Sequence, residues 1–177
     1  PAEFKGYYSP DEYGRSQEYL KENTRFFYLI SAFDLLLILL VIFLGLFNTI
    51  DIWIRSFGFS SIITGLMFFG LLFFIQDIIG TPFSLYQTFI IEEKFGFNKT
   101  SPKTYIMDKI KGYFLLIILG GIILSLILFF FESFGRFAWL YAWLVLSGFL
   151  ILIQPLFTLF IAPMFNTFTP LDDGDLK

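Results

Sequence analysis

YFLLIILGGIILSLILFFF, residues 113–131, is a run without a single charge. As a helix rising about 1.5 Å per residue it extends ~28 Å, close to the ~30 Å hydrocarbon thickness of a bilayer. Three more stretches read the same way, at about residues 26–47, 60–79 and 137–162, and their only charged residues are Asp34 and Asp77. Lipid, rather than water, is therefore the solvent against which the remaining residues are read. All backbone groups within hydrocarbon must be bonded internally, which leaves helices or a closed barrel. The runs are continuous rather than alternating with period two, so the barrel is excluded.

The composition belongs to the same class. The 177 residues are 56% hydrophobic and 22% aromatic, with 27 Phe, which would leave large apolar patches on a water-soluble domain. The chain has no Cys, so it has neither a disulfide framework nor thiol chemistry, and a net charge of −3 argues against nucleic acid as a partner. Residues 1–25 are polar and contain no apolar core of the kind a signal peptide needs.

Orientation follows from the cations. With four spans, the N-terminal segment, the central loop and the C-terminal tail share one side of the membrane. That side holds Lys5, Arg15, Lys21, Arg25, Lys94, Lys99, Lys103, Lys109, Lys111 and Lys177, against Arg55 and Arg136 on the other. Cytoplasmic loops carry the excess of Lys and Arg, so both ends of the chain and the loop are expected in the cytoplasm.

The expected fold is all-α: a polytopic helical membrane protein whose four transmembrane helices form two hairpins joined by a cytoplasmic loop. Residues 1–25 form a cytoplasmic helical segment, 26–162 the transmembrane domain with its loop at 80–112, and 163–177 a connection onward. Ser9, Pro10 and Glu12 carry the signature of a helix start: a serine cap, proline in the first turn and a glutamate that reaches back. A helix running from there through the first span would be unusually long and would project into the cytoplasm. Residues 48–59 read as a short interfacial loop and 132–136 as a tight turn, followed by Trp139, Tyr141 and Trp143 in an aromatic belt. Pro82, which lacks a donor and biases its predecessor away from helix, is expected to end the second span near residues 80–86.

Polar residues inside the spans are the candidates for function. By helical rise, Asp34 and Gln154 lie about 13 Å in from the cytoplasmic ends of their spans, while Gln76 and Asp77 stand near that end of theirs. A charge facing lipid is costly, so such residues are expected to line a cavity open to the cytoplasm. A second reading starts the first span at Leu35, runs it toward Ile54 and leaves Asp34 at the interface. Glu92 and Glu93 form a carboxylate pair, but sequence neighbours point to different helix faces, which favours solvated or loop-anchoring roles. Asn98 begins an Asn-Lys-Thr sequon whose cytoplasmic placement argues against glycosylation. Gln154-Pro155 marks a kink, and Ser61 with Gly65 and Gly121 with Ser125 are small-residue pairs that permit close helix contact.

GTPFSLYQTFIIEEKFGFN, residues 80–98, followed by Asp108, Ile110 and Lys111, resembles the signature loop of the integral-membrane CAAX prenyl proteases of the zinc metallopeptidase type. Tyr141-Ala142-Trp143-Leu144 and IAPMFNTFTPLDDGDL, residues 161–176, resemble that family's last span before its catalytic domain, and Ser16, Tyr19 and Phe26 fit more loosely. Phe95 replaces the histidine that many relatives carry in this loop. The resemblance implies an endopeptidase whose zinc is held by the two histidines of HExxH and a later glutamate, with the motif's own glutamate activating water. This chain has no His at all, so catalytic and metal residues are expected outside it. The resemblance thus implies the N-terminal membrane portion of such an enzyme: part of the wall of an intramembrane chamber. Its implied partners are the bilayer, a catalytic domain and a prenylated or other membrane-associated protein substrate. The competing reading is a non-catalytic helical module, such as a transporter subunit or a scaffold for hydrophobic cargo.

Overall fold

The computed structural model describes residues 9–166; the expected N-terminal residues 1–8 and most of the onward connection, residues 167–177, lie outside the described residues. The described chain is almost wholly helical, with no strand. It divides into two units, the first ending at Ser101 and the second beginning at Pro102.

The first unit opens with α1, Pro10–Phe43. Its start is the expected capping box: the Glu12 amide donates to Ser9 Oγ at 3.2 Å, and the Ser9 amide donates to Glu12 Oε2 at 3.1 Å. Two orphan donors are satisfied where the helix begins. Gly45, at φ +64°, then turns the chain into α2, Leu46–Arg55. The expected span at 26–47 is therefore cut at Phe43, and residues 48–59 are largely helical rather than a loop. No single rod continues from Leu35 to Ile54, because the chain turns at Gly45.

α3 runs unbroken over Ser61–Phe95, and here the structure corrects the expected loop. Pro82 sits inside the helix. Thr81 Oγ1 donates to the Asp77 carbonyl at 2.6 Å, giving a nearby backbone acceptor a side-chain partner around the proline. The carbonyl that loses its donor to Pro82 is that of Ile78, four residues back, and membrane helices tolerate such a proline where local adjustment compensates. Past Tyr86 the helix widens into a π-helical stretch, Gln87–Glu92, and it stops only after Phe95. There Gly96 takes φ +78°, Gly96 N–H donates to the Glu93 carbonyl at 3.0 Å and Phe97 N–H to the Glu92 carbonyl at 2.9 Å. This paired closure needs a left-handed residue, which glycine supplies without a steric penalty. Only residues 96–101 of the expected 80–112 loop are non-helical.

The second unit is a hairpin of α4, Pro102–Ser133, and α5, Gly135–Phe165, each long and apolar enough to cross a membrane. The expected turn at 132–136 is a short 3₁₀ turn, Gly135–Phe137. The rings of Phe130, Phe134 and Tyr141 cluster there, with Phe134 and Tyr141 centred 4.6 Å apart. Pro155 likewise lies inside its helix, ahead of another π-helical stretch at Phe157–Ile161, and α4 carries one at Leu116–Gly120. Among the described residues a methyl group at Gly121 would meet nothing within 4 Å, and Ser125 Oγ donates back to the Gly121 carbonyl of its own helix at 2.7 Å.

Buried apolar side chains sit at the junctions rather than along the rods: Ile54 on α2, Ile91 and Phe95 near the end of α3, and Ala138 at the hairpin turn. Most large apolar residues stay exposed along the helices. Such a surface is stable in hydrocarbon, where helices gain little from hiding Leu or Phe from one another.

Candidate functional site

Between α1 and α3 lies a groove of about 660 Å³, lined mostly by apolar residues, Phe47, Phe69, Leu72 and Phe73 among them. Asp34 and Gln76 also line it, and no other polar residue does. The groove exists because α1 and α3 are joined at one end by α2 and held at the other by a string of side-chain contacts.

That string is built on one face of α1. Arg15 Nη2 donates to the Phe95 carbonyl at 3.4 Å, and the Tyr19 ring meets Phe95 and Phe97 edge-on at 5.3 and 4.8 Å. Glu22 pairs with Lys94, Gln87 Nε2 donates to Asn23 Oδ1 at 2.9 Å, and Phe26 packs on Tyr86 at 4.9 Å. The Lys94 ammonium is held above its ordinary range chiefly by its hydrogen bond to Glu22. Residues 15, 19, 22 or 23, and 26 recur at helical spacing, so a stripe on α1 meets the end of α3. Sequence reasoning noted Tyr19 and Phe26 only as family residues. The spacing was the signal that would have revealed the contact.

The other candidates are dispersed. Asp77 is half-buried on α3 with Thr81 Oγ1 3.5 Å from its carboxylate, but it does not line the groove. Glu92 contributes its backbone carbonyl to the helix end, accepting from Phe97 and Asn98. Glu93 Oε2 accepts from Asn98 Nδ2 at 2.9 Å, while Asn98 Oδ1 accepts from the Thr100 amide at 2.7 Å. Glu93, Asn98 and Thr100 thus tie the loop after α3 to its last turn. Gln154 is exposed on α5, and its backbone carbonyl accepts from Thr158 Oγ1 at 3.2 Å.

Among the described residues, no group of three or more His, Cys, Asp or Glu stands together, and the chain contains neither His nor Cys. This donor set does not fit zinc.

Long apolar rods, a groove bearing one carboxylate and one amide, and packing gathered at helix ends define a polytopic α-helical membrane domain. The CAAX prenyl protease N-terminal family, described as having five membrane helices, matches residues 1–167, and this chain belongs to it. Four candidate membrane-crossing helices occur among the described residues. CAAX prenyl protease 1 of Saccharomyces cerevisiae is 43% identical over 119 residues, covering 67% of this chain and 26% of that protein. The Dictyostelium discoideum CAAX prenyl protease 1 homolog is 34% identical over 171 residues, covering 94% of this chain and 40% of the relative. The crystal structure of S. mikatae Ste24p superposes with a TM-score of 0.89 at 32% identity, covering 100% of this chain and 43% of that one. The chain therefore spans well under half the length of these relatives and matches their N-terminal membrane portion.

Proposed function

We propose that this chain forms part of the wall of an intramembrane chamber in a zinc metalloendopeptidase, guiding substrate to a catalytic portion carried elsewhere in the protein. The observation that carries the reading is the shared placement of Asp34 and Gln76 on one groove between α1 and α3. A carboxylate at mid-depth is costly against lipid, so a hydrated interior is the setting that accommodates it. Family membership supplies the chemistry: relatives bear the name CAAX prenyl protease, which makes a prenylated protein tail the substrate proposed here. Zinc would be held outside the residues described, with both ends of this chain and the loop after α3 on the cytoplasmic side.

The test uses the absence of native cysteine in this chain. Asp34→Cys, Gln76→Cys and, as control, Leu36→Cys are made in the protein together with the portion its relatives carry beyond the match, with any other cysteines replaced. A water-soluble maleimide is expected to label positions 34 and 76 and to spare 36, which is exposed on α1 away from the groove. Labelling of 36 with protection of 34 and 76 would place the groove against lipid and overturn the reading.

A further inference from the structure

Helix α2 joins two lipid-crossing rods, yet its own residues are sorted in a way that crossing does not require. Over its ten residues, at about 100° per residue, Leu46, Phe47, Ile50 and Ile54 fall on one arc, and Ile54 is buried. Asn48, Asp51 and Arg55 fall on the opposite arc, where Arg55 Nε donates to Asp51 Oδ2 at 2.7 Å. Trp53 flanks the apolar arc and opens a row of rings. Its ring meets Phe57 edge-on at 5.3 Å, and Phe57 stacks on Phe59 at 6.1 Å. All three remain about half exposed, at 55%, 51% and 49%.

We infer that α2 and the Trp53–Phe57–Phe59 row form a lipid-headgroup docking surface, with the rings at the glycerol level of the leaflet and the free edge of Arg55 turned to lipid phosphate. Three observations argue for lipid over any other occupant. The surface is continuous with the lipid-crossing rods: α1 ends three residues before α2, and α3 begins at Ser61, so α2 cannot leave the membrane face that both rods reach. An amphipathic ring such as that of Trp53 settles at this depth, and Phe57 and Phe59 extend it with apolar area. Arg55 bonds Asp51 through Nε, and its side chain is 64% exposed, so its terminal nitrogens can donate to a phosphate oxygen. The consequence is a fixed depth for the α1–α3 pair, and with it a fixed depth for Asp34. This inference does not depend on the protease reading.

The experiment places the full chain in phosphatidylcholine vesicles with Trp53 as its sole tryptophan, through Trp139→Phe and Trp143→Phe. Phosphatidylcholines brominated at successive acyl positions then serve as depth rulers. The expected result is strongest quenching by bromines nearest the glycerol, falling off toward the chain ends, with aqueous iodide a weak quencher. Strongest quenching at the bilayer centre overturns the proposal, as does full iodide quenching without any from lipid. In a second arm, Asn48→Cys is expected to react with a water-soluble maleimide and Phe57→Cys to lose that reaction in vesicles. Equal labelling of the two also overturns it. If the tryptophan substitutions disturb folding, the cysteine arm, which leaves every tryptophan in place, decides alone.

Discussion

Tyr19 is one ring held between two others, and its removal isolates the contribution of the α1–α3 contact. Tyr19→Ala deletes both edge-on pairs, and a half-buried aromatic in such pairs is expected to contribute about 1–3 kcal/mol. Thermal unfolding in detergent micelles should show this loss, whereas Lys94→Met, which breaks a solvent-screened pair, should shift the midpoint far less. Glu12 gives a pH-dependent signature. Its carboxyl group titrates below the ordinary glutamate range, first because the Ser9 amide donates to it and then because the Ser9 hydroxyl does. A depressed folded pKa means that the stabilisation is complete above the unfolded value and is lost as pH falls through the folded one. The first turn of α1 should therefore be unchanged from pH 7 down to about 5 and loosen at lower pH. The amide resonances of Ser9 and Glu12 report this; Ser9→Ala, which keeps the backbone donor, should shrink the pH step, and Glu12→Gln should remove it.

At the scale of elements, glycine separates two effects. Gly96 needs its left-handed conformation, and a methyl group there would meet no neighbour, so Gly96→Ala tests conformation alone. The expected cost is about 1–2 kcal/mol, measured by the thermal midpoint, with Gly96→Asn milder. Gly70, mid-helix and equally uncrowded, should respond with the opposite sign, since alanine is the better helix former. The same elements show what the sequence disclosed. Uncharged runs such as 113–131 located the rods, because lipid makes composition nearly sufficient. The end of α3 lies beyond Pro82 because a helix in lipid keeps its backbone bonded internally across a proline, and the left-handed Gly96 ends it instead. Asp34 and Gln76 stood out as polar residues in apolar runs. Their convergence was not legible, since it depends on the turn at Gly45 and on the stripe from Arg15 to Phe26.

For the whole molecule, the exposed Leu, Ile and Phe along every rod require a lipid or detergent envelope. Sedimentation without detergent should find aggregate only. Sidedness is expected to follow the cations: cysteine at Lys99 should react from the cytoplasmic face and cysteine at Arg136 from the opposite one, read with an impermeant maleimide on oriented vesicles. Reaction of both from one face would contradict four crossings.

The widened turns bear on how such rods present their sides. Gln87–Glu92, Leu116–Gly120 and Phe157–Ile161 each hold more residues per turn than the helix around them. One surplus residue rotates everything downstream by roughly 100° relative to an uninterrupted spiral. A bearing taken from Ser61 onward along α3 is thus out of phase by Phe95. A single rod can in this way show hydrocarbon at one height and a different azimuth, suited to protein or water, a few turns later.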